Sequence, residues 1–212
     1  MVPLAKERHD YPTDSRAGNL EVNVDFAIRD AVPGDAPDFA TSQIVAWRAA
    51  YAGILDAGYL AGMDVERLTT GWARILGDPD RNVRRLAVTV DGTAVGWSGF
   101  GRPRDEVPGG TGELHALNVL PAYWSRGLGP ALFQASVEGL RTMGYERAYL
   151  WVAAGNCRAI RFYERHGWCP DGLTKQDARF DPPLLERRFS ASCSWAINMA
   201  SREPARHDPK FH

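Results

Sequence analysis

Apolar and polar positions divide the chain into a polar opening, a long patterned middle and a polar end. Residues 1–22 are charged and aperiodic and read as a flexible N-terminal arm; the closing "ASREPARHDPKFH" reads the same way, which sets 191–212 aside as a tail. Residues 23–190 between them form one domain. In "VDFAIRDAV" the apolar Val24, Phe26 and Ile28 fall at every second position, which predicts a half-buried strand. "PGDAPDFATSQIVAWRAAYAGIL" changes to helical spacing, with Phe39, Ile44, Trp47 and Tyr51 near one face. "DVERLTTGWARIL" predicts a second short helix. "VRRLAVTV" and "TAVGWSGFG" flank Asp91-Gly92, a strong two-residue hairpin signal, and "GELHALNVL" is the next strand. Gly127 to Met143 predicts a helix, with Phe133, Val137 and Leu140 at i, i+4 and i+7 and Gly144 as its stop. "RAYLWVA" is an apolar run of the kind buried on both faces of a sheet. "NCRAIRFYERHG" predicts a helix capped at Asn156, and "LLERRFS" a last strand. The alternation implies an α/β (α+β) domain, a mixed sheet with helices on both faces.

The 212 residues are 44% apolar and 24% charged, with a net charge of −1. Such a chain lacks the basic excess that phosphate-backbone binding requires, so no nucleic-acid partner is expected. No apolar window approaches the length of a membrane span, and the N-terminus lacks the apolar stretch of a secretion signal. No membrane partner is therefore expected, and the cytoplasm is the expected compartment. Cys157, Cys169 and Cys193 form no CxxC and no metal-ligand spacing with His115 or His166, so no metal is expected and a reducing compartment fits.

The stretch "LNVLPAYWSRGLGPALF", Leu117 to Phe133, adds chemistry. An apolar strand stops at Pro121, and Gly127 and Gly129 stand beside Arg126 where a helix begins. Such a turn leaves free N–H groups at the positive end of the helix dipole, and glycine lets an anion approach the backbone. Pro130 falls in the first helical turn, where a missing N–H costs little. A GxG by itself fits a plain turn as well. Spacing excludes two phosphate loops: GxxxxGK[ST] is absent, and Leu132 stands where a dinucleotide fingerprint needs its third glycine.

Two strings in this order resemble the hallmarks of the GCN5-related N-acetyltransferase (GNAT) family. Trp124-Ser125-Arg126-Gly127-Leu128-Gly129 is similar to the acetyl-CoA signature [Q/R]xxGx[G/A] that follows a strand, with Trp124 in place of the usual Gln or Arg. "NCRAIRFYERHGW" resembles NxxAxxxYxxxGF through Asn156, Ala159, Tyr163, Gly167 and Trp168, the last in place of Phe. "AWRAAYAGIL" is similar to the first-helix region of many small-molecule members. The resemblance spans Phe26 to Phe189 and implies the GNAT fold, a central, mostly antiparallel sheet splayed by a β-bulge. It implies acetyl-CoA as co-substrate, its pyrophosphate on the backbone of Ser125, Arg126, Gly127, Leu128, Gly129 and Pro130. The pantetheine arm would pair with Leu117, Asn118 and Val119 and touch Asn156. The Val119 N–H, freed by the bulge, would receive the oxyanion of a tetrahedral intermediate.

Tyr163 lies about two helical turns after Asn156, and the resemblance makes it the acid for the leaving thiolate; alone it reads as a core tyrosine. Asn156 also suits an N-cap. An alkylamine is mostly protonated at neutral pH, and Glu113, on the strand leading to the bulge, is the natural base candidate. An exposed, idle carboxylate is the competing reading. His115, on the same strand face, either assists or is a surface histidine. Relatives that acetylate ribosomal-protein N-termini carry a Glu where this chain has Trp151. Trp47 and Tyr51, one turn apart with Tyr59 soon after, border the acceptor pocket by the resemblance and read as core by spacing. The leading expectation is an acetyl-CoA-dependent N-acetyltransferase acting on the primary amine of a small molecule. The alternatives are acetylation of a protein N-terminus or lysine, and a catalytically silent acyl-CoA-binding module. The length after Phe189 leaves room for a homodimer contact.

Overall fold

The structure is a computed structural model, and it describes residues 24–77, 80 and 82–192. The expected arm at 1–22 lies outside the described residues, as does all but the start of the tail expected at 191–212; Ala191 and Ser192 belong instead to the last strand, paired with Ala148 and Arg147. In chain order the elements are β1 (Ala27–Asp30), α1 (Ala36–Ala50), α2 (Ala57–Ala61), α3 (Val65–Gly77), β2 (Val83–Val90), β3 (Thr93–Gly101) and β4 (Thr111–Val119). They continue with α4 (Leu128–Thr142), β5 (Arg147–Ala153), α5 (Cys157–Arg165), β6 (Cys169–Asp177) and β7 (Leu184–Ser192). The strands form one seven-stranded sheet in the order β1-β2-β3-β4-β5-β7-β6. Only the β4–β5 pair is parallel, so the expected mixed, mostly antiparallel sheet is the observed one.

Local chemistry explains most boundaries. Asp91 and Gly92 both have positive φ, 49° and 82°, the pair of values that a two-residue hairpin matching the strand twist requires. The first helix stops at Ala50 rather than running to Leu55, where the chain turns through Gly53 at φ 75°. β6 was not expected from the sequence. It is an edge strand with Pro170 and Gly172 inside it and a mostly exposed pattern, so it lacks the apolar alternation that marks a strand.

Two cores hold the helices to opposite faces of the sheet. Phe133, Val137 and Leu140 of α4 pack with Leu114, Val119 and Leu150 on one face. There α4 comes so close to β3 that a Cβ on Gly139 would lie 2.4 Å from the Phe100 ring. On the other face Phe39 of α1 stacks on Trp97 and meets Trp72 of α3 edge-on.

One irregularity shapes the middle of the sheet. The β3–β4 register steps from Gly99↔Ala116 to Phe100↔Leu114, which leaves His115 as the extra residue of a bulge. Beside it, the β4–β5 pairing covers Thr111–Glu113 against Arg147–Tyr149 and goes no further. Beyond that point β4 stays bonded to β3 and β5 to β7, so the two strands diverge and a wedge opens between them. The bulge also resets the side-chain alternation. Leu114, Leu117 and Val119 all reach the α4 core, which a regular strand forbids for residues three apart.

Candidate active site

The wedge between β4 and β5 opens into a cleft of about 300 Å³. Leu117, Asn118 and Val119 form one wall. The Leu120 N–H donates to the Val95 carbonyl; strand alternation therefore turns the Asn118 N–H toward β3 and those of Leu117 and Val119 into the wedge. The Val119 carbonyl accepts the Trp124 Nε1–H at 2.7 Å, which fastens the end of β4 to the turn that follows. The Arg158 guanidinium lies 4.1 Å above the centre of the Trp124 ring, and both residues line the cleft. Trp124 thus holds a cation in place where the family signature has its own Gln or Arg.

At the glycine turn, Ser125 (φ 61°) and Gly127 (φ 85°) take left-handed conformations, and Gly127 is the N-cap of α4. The N–H groups of Leu128 and Gly129 are first-turn donors without an intrahelical acceptor. A Cβ on Gly129 would meet only the Phe162 ring, at an ordinary 3.7 Å. The protein itself does not need glycine there, whereas a ligand on that backbone does. Ser125, Gly129 and Pro130 line the cleft. Arg126 and Gly127 are exposed, and the Leu128 side chain is buried in the core beneath.

In the middle of the cleft, Asn156 caps α5 by accepting the Ala159 N–H at 3.0 Å. Tyr163 is buried against Phe133 and Phe162, with Tyr51 across from it. Burial pushes the Tyr51 phenol up to about 12, and the Glu186 charge adds to that. Burial pushes Tyr163 higher still, helped by Tyr51. Both phenols are therefore protonated at neutral pH and act as hydrogen-bond donors. A donor-rich helix end, an unpaired strand edge and two protonated phenols along one cleft fit a long thioester bearing phosphate and amide groups.

The acceptor end differs from expectation in its carboxylates. Glu113 is fully buried, not exposed, and is not among the residues lining the cleft. Its Oε2 accepts the Arg104 backbone N–H at 2.8 Å and the Tyr149 hydroxyl at 3.0 Å, while Oε1 accepts the Arg104 guanidinium. His115 does line the cleft. Its Nε2 lies 2.9 Å from the Arg102 carbonyl, so that nitrogen carries the proton, and burial holds the imidazole pKa below its usual value. Trp47 and Tyr51 line the cleft and also pack on the small core around Leu55, Leu60 and Leu184, so pocket and core are the same place. Tyr59 stands on Phe180 edge-on, 5.2 Å between centroids.

Lys175, Asp177, Phe180 and Glu186 also line this end and escaped the sequence reading. Glu186 is half-buried and sits two residues from buried Leu184 on β7. That shared strand face is the one signal that would have pointed it inward. Burial raises its pKa, Lys175 works against the rise, and Asp177 adds to it.

The sequence model of the acetyltransferase (GNAT) family matches residues 47–168, more than half of the chain and the whole of this cleft's glycine turn. The chain belongs to the GNAT family. An uncharacterized N-acetyltransferase of Archaeoglobus fulgidus is 31% identical over 144 residues, covering 64% of this chain and 88% of that protein. YuaI, an uncharacterized N-acetyltransferase of Bacillus subtilis, is 28% identical over 141 residues, covering 66% and 78%. The solved structure of the PaiA N-acetyltransferase from Thermoplasma acidophilum, in complex with coenzyme A, superposes with a TM-score of 0.59 at 18% identity, covering 77% of this chain and 98% of that one. That likeness establishes the GNAT fold for this chain. GNAT members are acetyltransferases that draw on acetyl-CoA. Among the described residues no helix is long and apolar enough to cross a membrane, and no group of three or more His, Cys, Asp or Glu is placed to hold a metal ion.

Proposed function

We propose that this GNAT protein transfers the acetyl group of acetyl-CoA to the primary amine of a small molecule. One observation supports this most: a single cleft joins the glycine turn, the open edge of β4, Tyr163 and an aromatic acceptor end. When bound, acetyl-CoA supplies an activated thioester. The backbone from Ser125 to Pro130 would hold its phosphates, with Arg126 on the rim and Arg158 on Trp124 adding positive charge. The Val119 N–H, aimed into the wedge, would stabilise developing negative charge on the acyl oxygen. Tyr163 keeps its proton at neutral pH and can donate a hydrogen bond to sulfur. A small acceptor suits the enclosure by Trp47, Tyr51, Phe180 and Leu184 side chains better than a peptide backbone does. Thiol release from acetyl-CoA, followed across alkylamines, arylalkylamines, polyamines, aminoglycosides and peptides, tests the reading. Turnover with small amines and none with peptides is the expected result. Turnover only with peptides favours the protein-acetylating alternative, and acetyl-CoA binding without any turnover favours a silent binding module.

A further inference from the structure

Resting on that reading, we infer that Glu186, and not Glu113, receives the acceptor's ammonium group and takes its proton, and that the acceptor is an alkylamine or arylalkylamine without a carboxylate beside the nitrogen. The cleft contains few groups able to do this. Glu113 lies outside its lining, with both oxygens occupied by Arg104 and Tyr149. His115 lines it, but its ring is tied through Nε2 to the Arg102 carbonyl at 2.9 Å, and an imidazole carries no negative charge to receive an ammonium. Asp177 lines it, but its carboxylate is held by the Arg179 guanidinium through Nε at 2.9 and 3.0 Å and Nη2 at 2.6 Å. Glu186 lines it and, among the described residues, has a single loose ion-pair partner, Lys175 at 3.6 Å.

The surroundings of Glu186 suit an ammonium. Strand pairing sets it opposite Ala153, the last residue of β5 and the one farthest beyond its final pair with β4. Trp47 and Tyr51 stand with ring centroids 5.1 Å apart, and Phe180 lies 6.3 Å from Trp47. Those rings offer apolar walls for a carbon stem and negative π-faces toward a cation. The Lys175 ammonium already shows the preference, 4.2 Å above the Trp151 ring while paired to Glu186. The charged and titratable groups facing Glu186 are Lys175 and Asp177 from β6, Arg179 from the following loop and Tyr51 from the end of α1. Arg104 and Arg179 line this end with guanidiniums already paired to Glu113 and Asp177, so a second carboxylate beside the acceptor nitrogen would meet Glu186 and Asp177 with only Lys175 to offset them.

The step balances. The ammonium gives one proton to the Glu186 carboxylate, which later returns it to solvent. The free nitrogen forms the C–N bond as the C–S bond breaks; the Tyr163 hydroxyl gives its proton to the departing sulfur, which leaves as the thiol, and the second nitrogen proton restores the phenol. A carboxylate with a raised pKa is a better base than an ordinary one, because basicity follows pKa.

The test measures kcat/KM against pH with 2-phenylethylamine and with phenylalanine, for the parent, Glu186→Gln, Glu186→Asp, Lys175→Met and Glu113→Gln, with calorimetric affinity for acetyl-CoA beside it. Glu186→Gln should lower kcat/KM at pH 7 by roughly a hundredfold and recover as the pH approaches the amine's own pKa, with acetyl-CoA affinity unchanged. Glu186→Asp, which keeps the charge and the fold, should lose less. Lys175 holds the Glu186 pKa down, so Lys175→Met should move the acid limb to higher pH, a change that a merely structural role would not produce. Glu113→Gln should leave the limb in place. Phenylethylamine should exceed phenylalanine by roughly tenfold or more. An active parent whose Glu186→Gln profile matches its own, or one that prefers phenylalanine, overturns the inference alone. A parent that turns over no amine overturns both it and the acetyltransfer reading.

Discussion

Glu113 and Glu186 are both strand carboxylates beside the same wedge, and the fold treats them in opposite ways. Glu113 is fully buried, and its oxygens take hydrogen bonds from a backbone N–H, a guanidinium and a phenol. Glu186 is half-buried, faces the cleft and is met by one ammonium at 3.6 Å. A fully satisfied buried charge fixes a conformation. In this fold Glu113 ties the β3–β4 loop to β5 at the point where β4 and β5 part, so it is scaffolding for the wedge. An incompletely satisfied carboxylate facing an aromatic cleft keeps a lone pair for a ligand, and such sites are where function tends to concentrate. Of the two, the carboxylate nearer the bulge is the one whose oxygens are already occupied, so proximity to the bulge does not by itself mark a base.

The largest expected effect lies on the open side of that comparison. Tyr163→Phe keeps the ring and its contacts with Phe133 and Phe162 but removes the proton aimed at sulfur. kcat should fall by roughly a hundredfold, the usual scale of a lost acid, at unchanged acetyl-CoA affinity and melting temperature. Steady-state kinetics beside calorimetry would show the split, and equal loss of affinity and rate would make Tyr163 a binding residue instead.

On the satisfied side, Glu113→Gln should cost stability. The charge that Arg104 meets is lost and one of the two acceptor oxygens becomes an amide NH2 facing donors of Arg104 or Tyr149, together worth about 2–3 kcal/mol, or a drop of roughly 5–10 °C in melting temperature. Calorimetric unfolding checks it, and an unshifted midpoint would deny Glu113 its structural role.

A smaller effect should follow from Trp124→Leu. It removes both the tie to the Val119 carbonyl and the platform under Arg158, and should weaken acetyl-CoA binding by roughly fivefold. The smallest concerns the stability cost of Glu186. Its pKa is raised on folding, so the stability it lends is full below its unfolded value of about 4.3 and is lost as the pH rises through the folded value. At pH 7 the charged form is a net cost. Glu186→Gln should therefore melt slightly above the parent at pH 7 and level with it near pH 4, the opposite sign to Glu113→Gln.

Much of the frame was legible because local rules decide it. The strands at 83–90, 93–101 and 147–153 begin and end where their patterns do, and Asp91-Gly92 makes the turn that its chemistry favours. Gly127 and Asn156 cap the helices that their motifs open. The partners of Glu113 were not legible, since Arg104 and Tyr149 lie 9 and 36 residues away and no local period links them. Of the acceptor end, Trp47 and Tyr51 were legible through the family resemblance, whereas Lys175 and Asp177 were not, because they lie on β6, a strand without an apolar period. Glu186, in "LLERRFS", looks like one more solvated charge until β7 is placed beside β5.

The central claim is that the cleft grips acetyl-CoA on bare backbone at the glycine turn, and Gly129→Glu tests it most directly. The site accepts a Cβ within the protein, 3.7 Å from Phe162, so the variant should fold. The added carboxylate would stand where phosphate must approach. Calorimetric titration with coenzyme A should give a clear binding isotherm for the parent and none for a folded Gly129→Glu. The same affinity in both would contradict the account.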